Sequence, residues 1–315
     1  MPSDSDREEF RNQVCLPMLT RAQNPDGGWG YQQGKQSATE PTAWALLALA
    51  RPEDSGRFAS AVERGKQWLR RTQLPDHSWP AFAEVTQGGW LTSLACLALH
   101  EHGEAPEAVA AGANWLCNQW PAEGVLWRRW LVRLFVKRDL VRQNLALRGW
   151  SWTPGTSSWV EPTACALILL HRLFPTEIPK DAEKRRRMAE AMLYDRMCPG
   201  GGWNSGNAAV YGVAGIPLIG PTVWALIALQ KYRQRAENKS SVEWLYSVRD
   251  QIQGPISMAL ARICYQVYGL PAPSIVPALR RAYQENQFLG NVIVAASCAV
   301  ALDGPAKWLD WERGE

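Results

Sequence analysis

The chain writes one ten-residue phrase several times. "EPTAWALLAL" begins at Glu40, "WLTSLACLAL" at Trp90, "EPTACALILL" at Glu161 and "GPTVWALIAL" at Gly220, with a degenerate "IVAASCAVAL" from Ile293. Aligned, these put Thr42, Thr92, Thr163 and Thr222 in equivalent places. A loop bearing Gly or Trp precedes the first four: "NPDGGWG" from Asn24, "PDHSWP" from Pro75, "RGWSWTPG" from Arg148 and "CPGGGWNSG" from Cys198. Ahead of the last three loops run amphipathic stretches, "FASAVERGKQWLRRTQ", "PEAVAAGANWLCNQW" and "AEKRRRMAEAMLYDRM". Self-similarity of this kind marks a repeat architecture, in which each unit buries its apolar face against its neighbours.

The repeated phrases are apolar nearly all round, so as helices they belong in the interior, whereas the amphipathic stretches keep a charged face for water. Strand signals are weak, because alternating runs are few and β-branched residues do not cluster. The pattern predicts an all-α chain: an α/α toroid, a barrel of helical-hairpin repeats with roughly ten to twelve helices. It is read as one domain over residues 1–315, with inner helices starting near Pro41, Leu91, Pro162 and Pro221. An open solenoid of the same hairpins is the other arrangement.

Composition narrows the function. The 315 residues carry a net charge of +4 with Lys and Arg mostly scattered, so no nucleic-acid partner is expected. Seven Cys and four His show no metal-type pairing, and the odd thiol count suggests reduced cysteines. The polar start "MPSDSDREEF" reads as no signal peptide, and no apolar run reaches the ~18 residues of a membrane span. A cytoplasmic location follows as the expectation, with peripheral membrane contact left open. Seventeen Trp stand against eight Tyr and six Phe, an excess of large π-faces.

"RGKQWLRRTQLPDHSW", Arg64 to Trp79, resembles the QW motif of squalene-hopene and oxidosqualene cyclases, with His77 where Gly is usual. "AQNPDGGWG", with Gln23 and Trp29, is similar to the second half of another copy. The resemblance implies the α/α toroid of class II terpene cyclases and protein prenyltransferases, and for the former an acid that protonates an alkene. Laying "WVEPTA" on the cyclase Asp-x-Asp-Asp-Thr-Ala motif places the donor on Glu161, with Trp159 and Pro162 where the flanking Asp residues stand. The internal repeat puts Glu40 at the same place in the first unit.

Both glutamates also have a plain explanation. A carboxylate in the first turn interacts well with the helix dipole, Thr39 can serve as N-cap, and Pro41 is tolerated where its missing N–H is not needed. The dipole lowers a carboxyl pKa, while burial among tryptophans raises it. Burial is expected to win for at least one of the pair, with Glu161 favoured because Trp150, Trp152 and Trp159 precede it. Trp44, Trp90, Trp159 and Trp224 either line a substrate cavity as cation-stabilising faces or pack as core. Trp29, Trp68, Trp79, Trp115 and Trp203 read as staples of loop on helix.

Cys96, His100 and His102 lack the accompanying Asp-x-Cys of a zinc site, and no Asp-Asp-x-x-Asp is present, so no metal and no cofactor are expected. The segment 124–145, "GVLWRRWLVRLFVKRDLVRQNL", alternates apolar and basic residues, as a membrane-associating or lid helix would, or as an ordinary amphipathic helix would. The expected function is a class II-type terpene or meroterpenoid cyclase acting on a hydrophobic isoprenoid small molecule. A non-catalytic isoprenoid-binding toroid and a carbohydrate-active toroid using Glu40 and Glu161 remain alternatives. Substrate length, product and oligomeric state are not legible.

Overall fold

The computed structural model describes residues 4–54, 56–124, 143–304, 306, 308 and 309. Most of the segment 124–145 lies outside these residues, including Trp127, Trp130 and Phe135. Among the described residues the chain is all-α, with one two-residue β-hairpin. The helices are α1 (Asp4–Phe10), α2 (Leu16–Ala22), α3 (Thr39–Ala48), α4 (Ala59–Thr72), α5 (Leu91–Glu101), α6 (Pro106–Asn118) and α7 (Val160–Leu173). They continue with α8 (Lys180–Asp195), α9 (Ile219–Ala228), α10 (Ala236–Ser247), α11 (Pro255–Val267), α12 (Ile275–Asn286) and α13 (Val292–Leu302). The count slightly exceeds expectation. One reason is a π-turn over Arg11–Cys15 that divides the first helix.

The described residues gather into two compact bodies, those within Met1–Ala113 and Ile252–Asp310, and those within Asn114–Gln251. In the first, α3 packs between α5 and α13, and α11 packs on α13. Amphipathic α4 covers α3, and α12 covers α11. In the second, α7 packs on α9, and each carries an outer partner, α8 on α7 and α10 on α9. The repeated apolar phrases are thus the buried layer. Only Glu40 of α3 and Glu161 of α7 escape burial in the first ten residues of their helices. The helix starts fall at Thr39, Leu91, Val160 and Ile219, two residues ahead of the expected Pro in three cases.

Each loop ties itself to both layers in one repeated way. The backbone N–H of Trp29, Trp79, Trp150 and Trp203 donates to the hydroxyl of Thr42, Thr92, Thr163 and Thr222, at 2.9, 3.0, 2.9 and 2.9 Å. The indole N–H of the same four donates to the carbonyls of Leu19, Leu69, Leu116 and Leu193 on outer helices, at 2.7, 2.8, 2.8 and 2.6 Å. This is why a threonine heads every complete phrase: it satisfies a buried backbone donor that water cannot reach. Gln23 and Gln73 extend the pattern sideways, each donating to its own loop and to the next outer helix at Ala61 and Ala108.

The turn before the tryptophan explains the departure at His77. Gly27 and Gly201 sit two residues ahead of Trp29 and Trp203 with φ of 90° and 105°, and His77 holds the same place with φ 71°. The surrounding bonds match: Gly27, His77 and Gly201 each donate to the carbonyl three residues back. Histidine therefore occupies a left-handed site that glycine fills without strain. His77→Gly is expected to raise stability by about 0.5–1 kcal/mol in urea denaturation, strain relief outweighing the added unfolded-state entropy. Gly27→Ala should destabilise, because its Cβ would meet the Arg64 carbonyl oxygen at 2.6 Å. Equal stability in both variants would refute a shared turn.

The first body also buries a charge cluster. Arg11 pairs with Asp54, its Nε lies 3.0 Å from Asp303, and Arg51 reaches Asp303 at 2.6 Å. Burial pushes the Asp303 carboxyl up to about 6, with Arg11 and Arg51 pulling against it. Its folded pKa stands above the unfolded one. The stability it contributes is therefore present at pH below the unfolded value and lost as pH rises through about 6. The wild-type urea midpoint should fall relative to Asp303→Asn between pH 4 and 7. Parallel profiles for the two proteins would show that Asp303 is not the titrating group.

Candidate active site

The two Glu-Pro-Thr phrases begin α3 and α7 in the same way. Ala38 and Trp159 precede the helices in extended conformation, so Glu40 and Glu161 are each the second helical residue and Pro41 and Pro162 the third. Proline costs nothing there, since first-turn N–H groups have no intrahelical partner. Thr39 is not the N-cap that the sequence suggests: its hydroxyl donates to the Pro80 carbonyl at 2.6 Å and its N–H to Ala81 at 3.0 Å. The neighbouring loop satisfies this helix start, so no side-chain cap forms.

Glu40 is half-buried and accepts a hydrogen bond from the Tyr31 hydroxyl at 2.7 Å. Burial raises its carboxyl pKa, and the Tyr31 bond opposes that rise only in part. The Tyr31 hydroxyl is pushed up as well, by burial and by the charge of Glu40. Glu40 therefore holds its proton more firmly than an ordinary glutamate, as a general acid must. Glu161 is half-buried too, and its Oε1 lies 3.7 Å from where a side chain on Gly220 would begin. Gly220 is the residue that the fourth phrase has in place of glutamate, so the Glu161 carboxyl faces the head of α9 across the open space glycine leaves.

The tryptophans divide by depth. Trp29, Trp79 and Trp203 are wholly enclosed, and Trp68 is enclosed with its indole N–H on Asp26 at 3.0 Å. Trp150 joins them at 3% exposure as the third loop's anchor. Trp44 is 4% exposed, with its ring edge-on to Trp308 at 5.9 Å, and Trp224 is 8% exposed. Trp90 and Trp159 are half-buried at the heads of α5 and α7. Trp115 is half-buried on α6.

Other acidic groups near the loops have structural work. Asp26 accepts from Gly28 N, Ser37 and Trp68, and Asp76 from the backbone and hydroxyl of Ser78. Glu84 accepts from Gln36 across adjoining loops. Cys96 is buried with its Sγ 3.7 Å from the Val109 carbonyl, and His102 bonds to the Leu46 carbonyl at 2.9 Å. Each of these two therefore has its own partner. Among the described residues no three His, Cys, Asp or Glu side chains group as metal ligands. No described helix is long and apolar enough to cross a membrane.

No family model matches the chain. Among curated proteins it is 29% identical over 114 residues to a drimenyl diphosphate synthase of Streptomyces showdoensis, and 41% identical over 58 residues to one of Streptantibioticus cattleyicolor. It is also 35% identical over 85 residues to an uncharacterised protein of Sinorhizobium fredii. These matches take in 36%, 18% and 25% of this chain but only 21%, 10% and 15% of the relatives.

Solved structures match over nearly the whole length. A point variant of the type II terpene cyclase MstE from Scytonema, in complex with the product merosterolic acid A, superposes with a TM-score of 0.62 at 13% identity, covering 97% of this chain and 99% of that one. A second point variant of the same enzyme, in complex with its substrate, geranylgeranyl dihydroxybenzoate, gives 0.61 at 12%, covering 95% and 98%. An α-amylase from Clostridium perfringens gives 0.63 at 8%, covering 93% and 97%. The fold is all-α and terpene-cyclase-like, and at these identities the structural likeness speaks for the fold alone.

Proposed function

We propose that the chain is a class II-type terpene or meroterpenoid cyclase, which protonates an alkene of a polyprenyl or prenylated substrate and cyclises it among aromatic side chains. The observation that carries this is Glu40. It is a carboxyl at the mouth of an apolar helix, its pKa raised by burial, and aligned by internal repeat with Glu161, where the resembling cyclases keep their acid. The squalene-hopene-like reading of Arg64 to Trp79 is part of the same proposal, with Gln23 and Gln73 joining loops to outer helices.

The chemistry asks little more of the protein. The carboxyl O–H gives its proton to one alkene carbon, leaving a carboxylate and a tertiary cation. The next double bond attacks that cation and closes a ring. Loss of a proton from carbon ends the sequence, so substrate and product have equal mass. Trp90 and Trp159, each half-buried at a helix head, are the first candidates for a cation-stabilising π-face, worth about 1–2 kcal/mol when desolvated. Trp44 and Trp224, nearly buried, are further candidates for the same role.

The test is turnover in D2O with geranylgeranyl dihydroxybenzoate and with farnesyl diphosphate. The expected product has one ring more and carries one deuterium on carbon. Unreacted substrate that still binds would favour a non-catalytic isoprenoid binder. The likeness to an α-amylase fold supports a second reading, glycoside hydrolysis by Glu40 and Glu161. Release of reducing sugar from starch, with no deuterated terpene, would decide for it.

A further inference from the structure

Six non-glycine residues among those described have positive φ, and three of them are consecutive. Gln287, Phe288 and Leu289 hold φ of 51°, 55° and 52°, and Gly290 follows at 67°. The four residues form one left-handed turn between α12 and α13. In this region a Cβ crowds the following carbonyl oxygen, so residues other than glycine visit it singly rather than in series. Strain of this kind persists only where surrounding contacts over-determine it.

Packing accounts for the middle of the turn. Phe288 is buried, edge-on to Tyr283 at 5.3 Å and to Phe10 at 6.4 Å. The Gln287 N–H donates to the Tyr283 carbonyl, and the Asn291 N–H closes the turn on the Phe288 carbonyl at 3.0 Å. Leu289 is different. It is 70% exposed, so its side chain gains little from burial, and glycine would hold the same φ without strain. What leucine adds is restriction, because it has fewer other backbone states open to it than glycine has.

The restricted turn carries the loop that reaches Glu40. The Leu289 carbonyl accepts from the Gln32 side chain at 3.4 Å, and Asn291 pairs with Gln32 in an antiparallel bridge. The Val292 N–H donates to the Tyr31 carbonyl at 3.0 Å. The backbone of Tyr31 is thus fixed from the turn, while its hydroxyl donates to the Glu40 carboxylate at 2.7 Å. Among the described residues Tyr31 is the one titratable group that acts on Glu40; α4, α5 and α13, which pack on α3, bring no other that does.

We propose that the left-handed turn Gln287–Gly290 holds the Tyr31 hydroxyl on the Glu40 carboxyl, and that Leu289 is a positioning residue for the acid. The inference rests on reading Glu40 as that acid, so its test needs no turnover. The experiment is NMR titration of the Glu40 carboxyl in the full chain, labelled with carbon-13 glutamate and assigned with Glu40→Gln. Tyr31→Phe removes the hydrogen bond and should move the titration to higher pH. Leu289→Gly should move it the same way by a smaller amount, because a loosened turn lets Tyr31 leave the carboxyl part of the time. The Val292 amide should then exchange faster with solvent. Leu289→Asn should titrate as wild type, since asparagine tolerates the left-handed region. Added to Tyr31→Phe, Leu289→Gly should shift nothing further. A Glu40 titration that Tyr31→Phe or Leu289→Gly leaves in place overturns the proposal, even where the melting temperature changes, because the turn is then structural only. So does a Leu289→Gly shift of equal size with and without Tyr31. Failure of the enzymatic reading is seen separately, as no deuterated product with these titration shifts intact, and it leaves the hold of the turn on Tyr31 and Glu40 standing.

Discussion

Trp203→Ala is expected to cost roughly 3–5 kcal/mol of stability, against a total of about 5–15 kcal/mol for a typical domain. The side chain is wholly enclosed, and its indole N–H holds the Leu193 carbonyl at 2.6 Å. Truncation leaves a cavity between α8 and the loop and strands a carbonyl near the end of that helix. The backbone bond to Thr222 survives, so the loop loses its outer tie and keeps its inner one. Trp203→Phe separates the terms: it retains most of the packing and removes the N–H, so it should cost about 1–3 kcal/mol. Urea denaturation of both variants reads this directly. An alanine variant within about 1 kcal/mol of wild type would show that the tryptophan fills space without joining the layers.

The second large effect concerns turnover. Replacing the true donor by glutamine should lower cyclisation by about 10²–10⁴-fold, because the amide keeps shape and hydrogen bonding but carries no acidic proton. Folding should change by no more than about 0.3–1 kcal/mol, the loss of a first-turn charge. Glu40→Gln, Glu161→Gln and the double variant form one series. If one single variant is inactive and the other normal, the second glutamate is a helix-start residue. If both are inactive, turnover requires each of them. Activity should also decline as pH rises through the raised pKa of the donor, since only the protonated form works. Tyr31→Phe removes one hydrogen bond to the Glu40 carboxylate. It should raise that pKa further and move the decline to higher pH if Glu40 is the acid. Full turnover in the double variant would remove both glutamates from the mechanism.

The buried layer could be read from the sequence because its signal is one-dimensional. Runs such as Thr39–Ala48 and Ile219–Ala228 have no polar face, so they can only be interior. Amphipathic α4, α6 and α8 were equally plain. The loops were harder. Arg148 to Gly155 contains both Trp150 and Trp152, and composition does not say which is the anchor. The constant 13-residue distance to the following threonine does, since it selects Trp29, Trp79 and Trp150 alike. The contact of Tyr31 with Glu40 left no periodic trace, because it depends on the path of a loop. Thr39 had the right residue type for a cap, but a neighbouring loop had already met the need. The pair α11 and α12 falls outside the repeated phrase, so self-similarity carries no signal for it.

The knot of tryptophan and threonine fixes the two ends of each loop and lets the length between them vary. Lengthening the span from 13 to 19 residues left the bond at 2.9 Å. By chain-closure entropy such an extension costs only about 0.3 kcal/mol. The stretch between those two residues is therefore a socket of adjustable length, and it recurs four times along the chain. The fourth repeat already carries such an added segment, and the span between Trp79 and the head of α5 is a place where another could be spliced. A lineage or an engineer can vary what sits above each helix head while the scaffold stays the same.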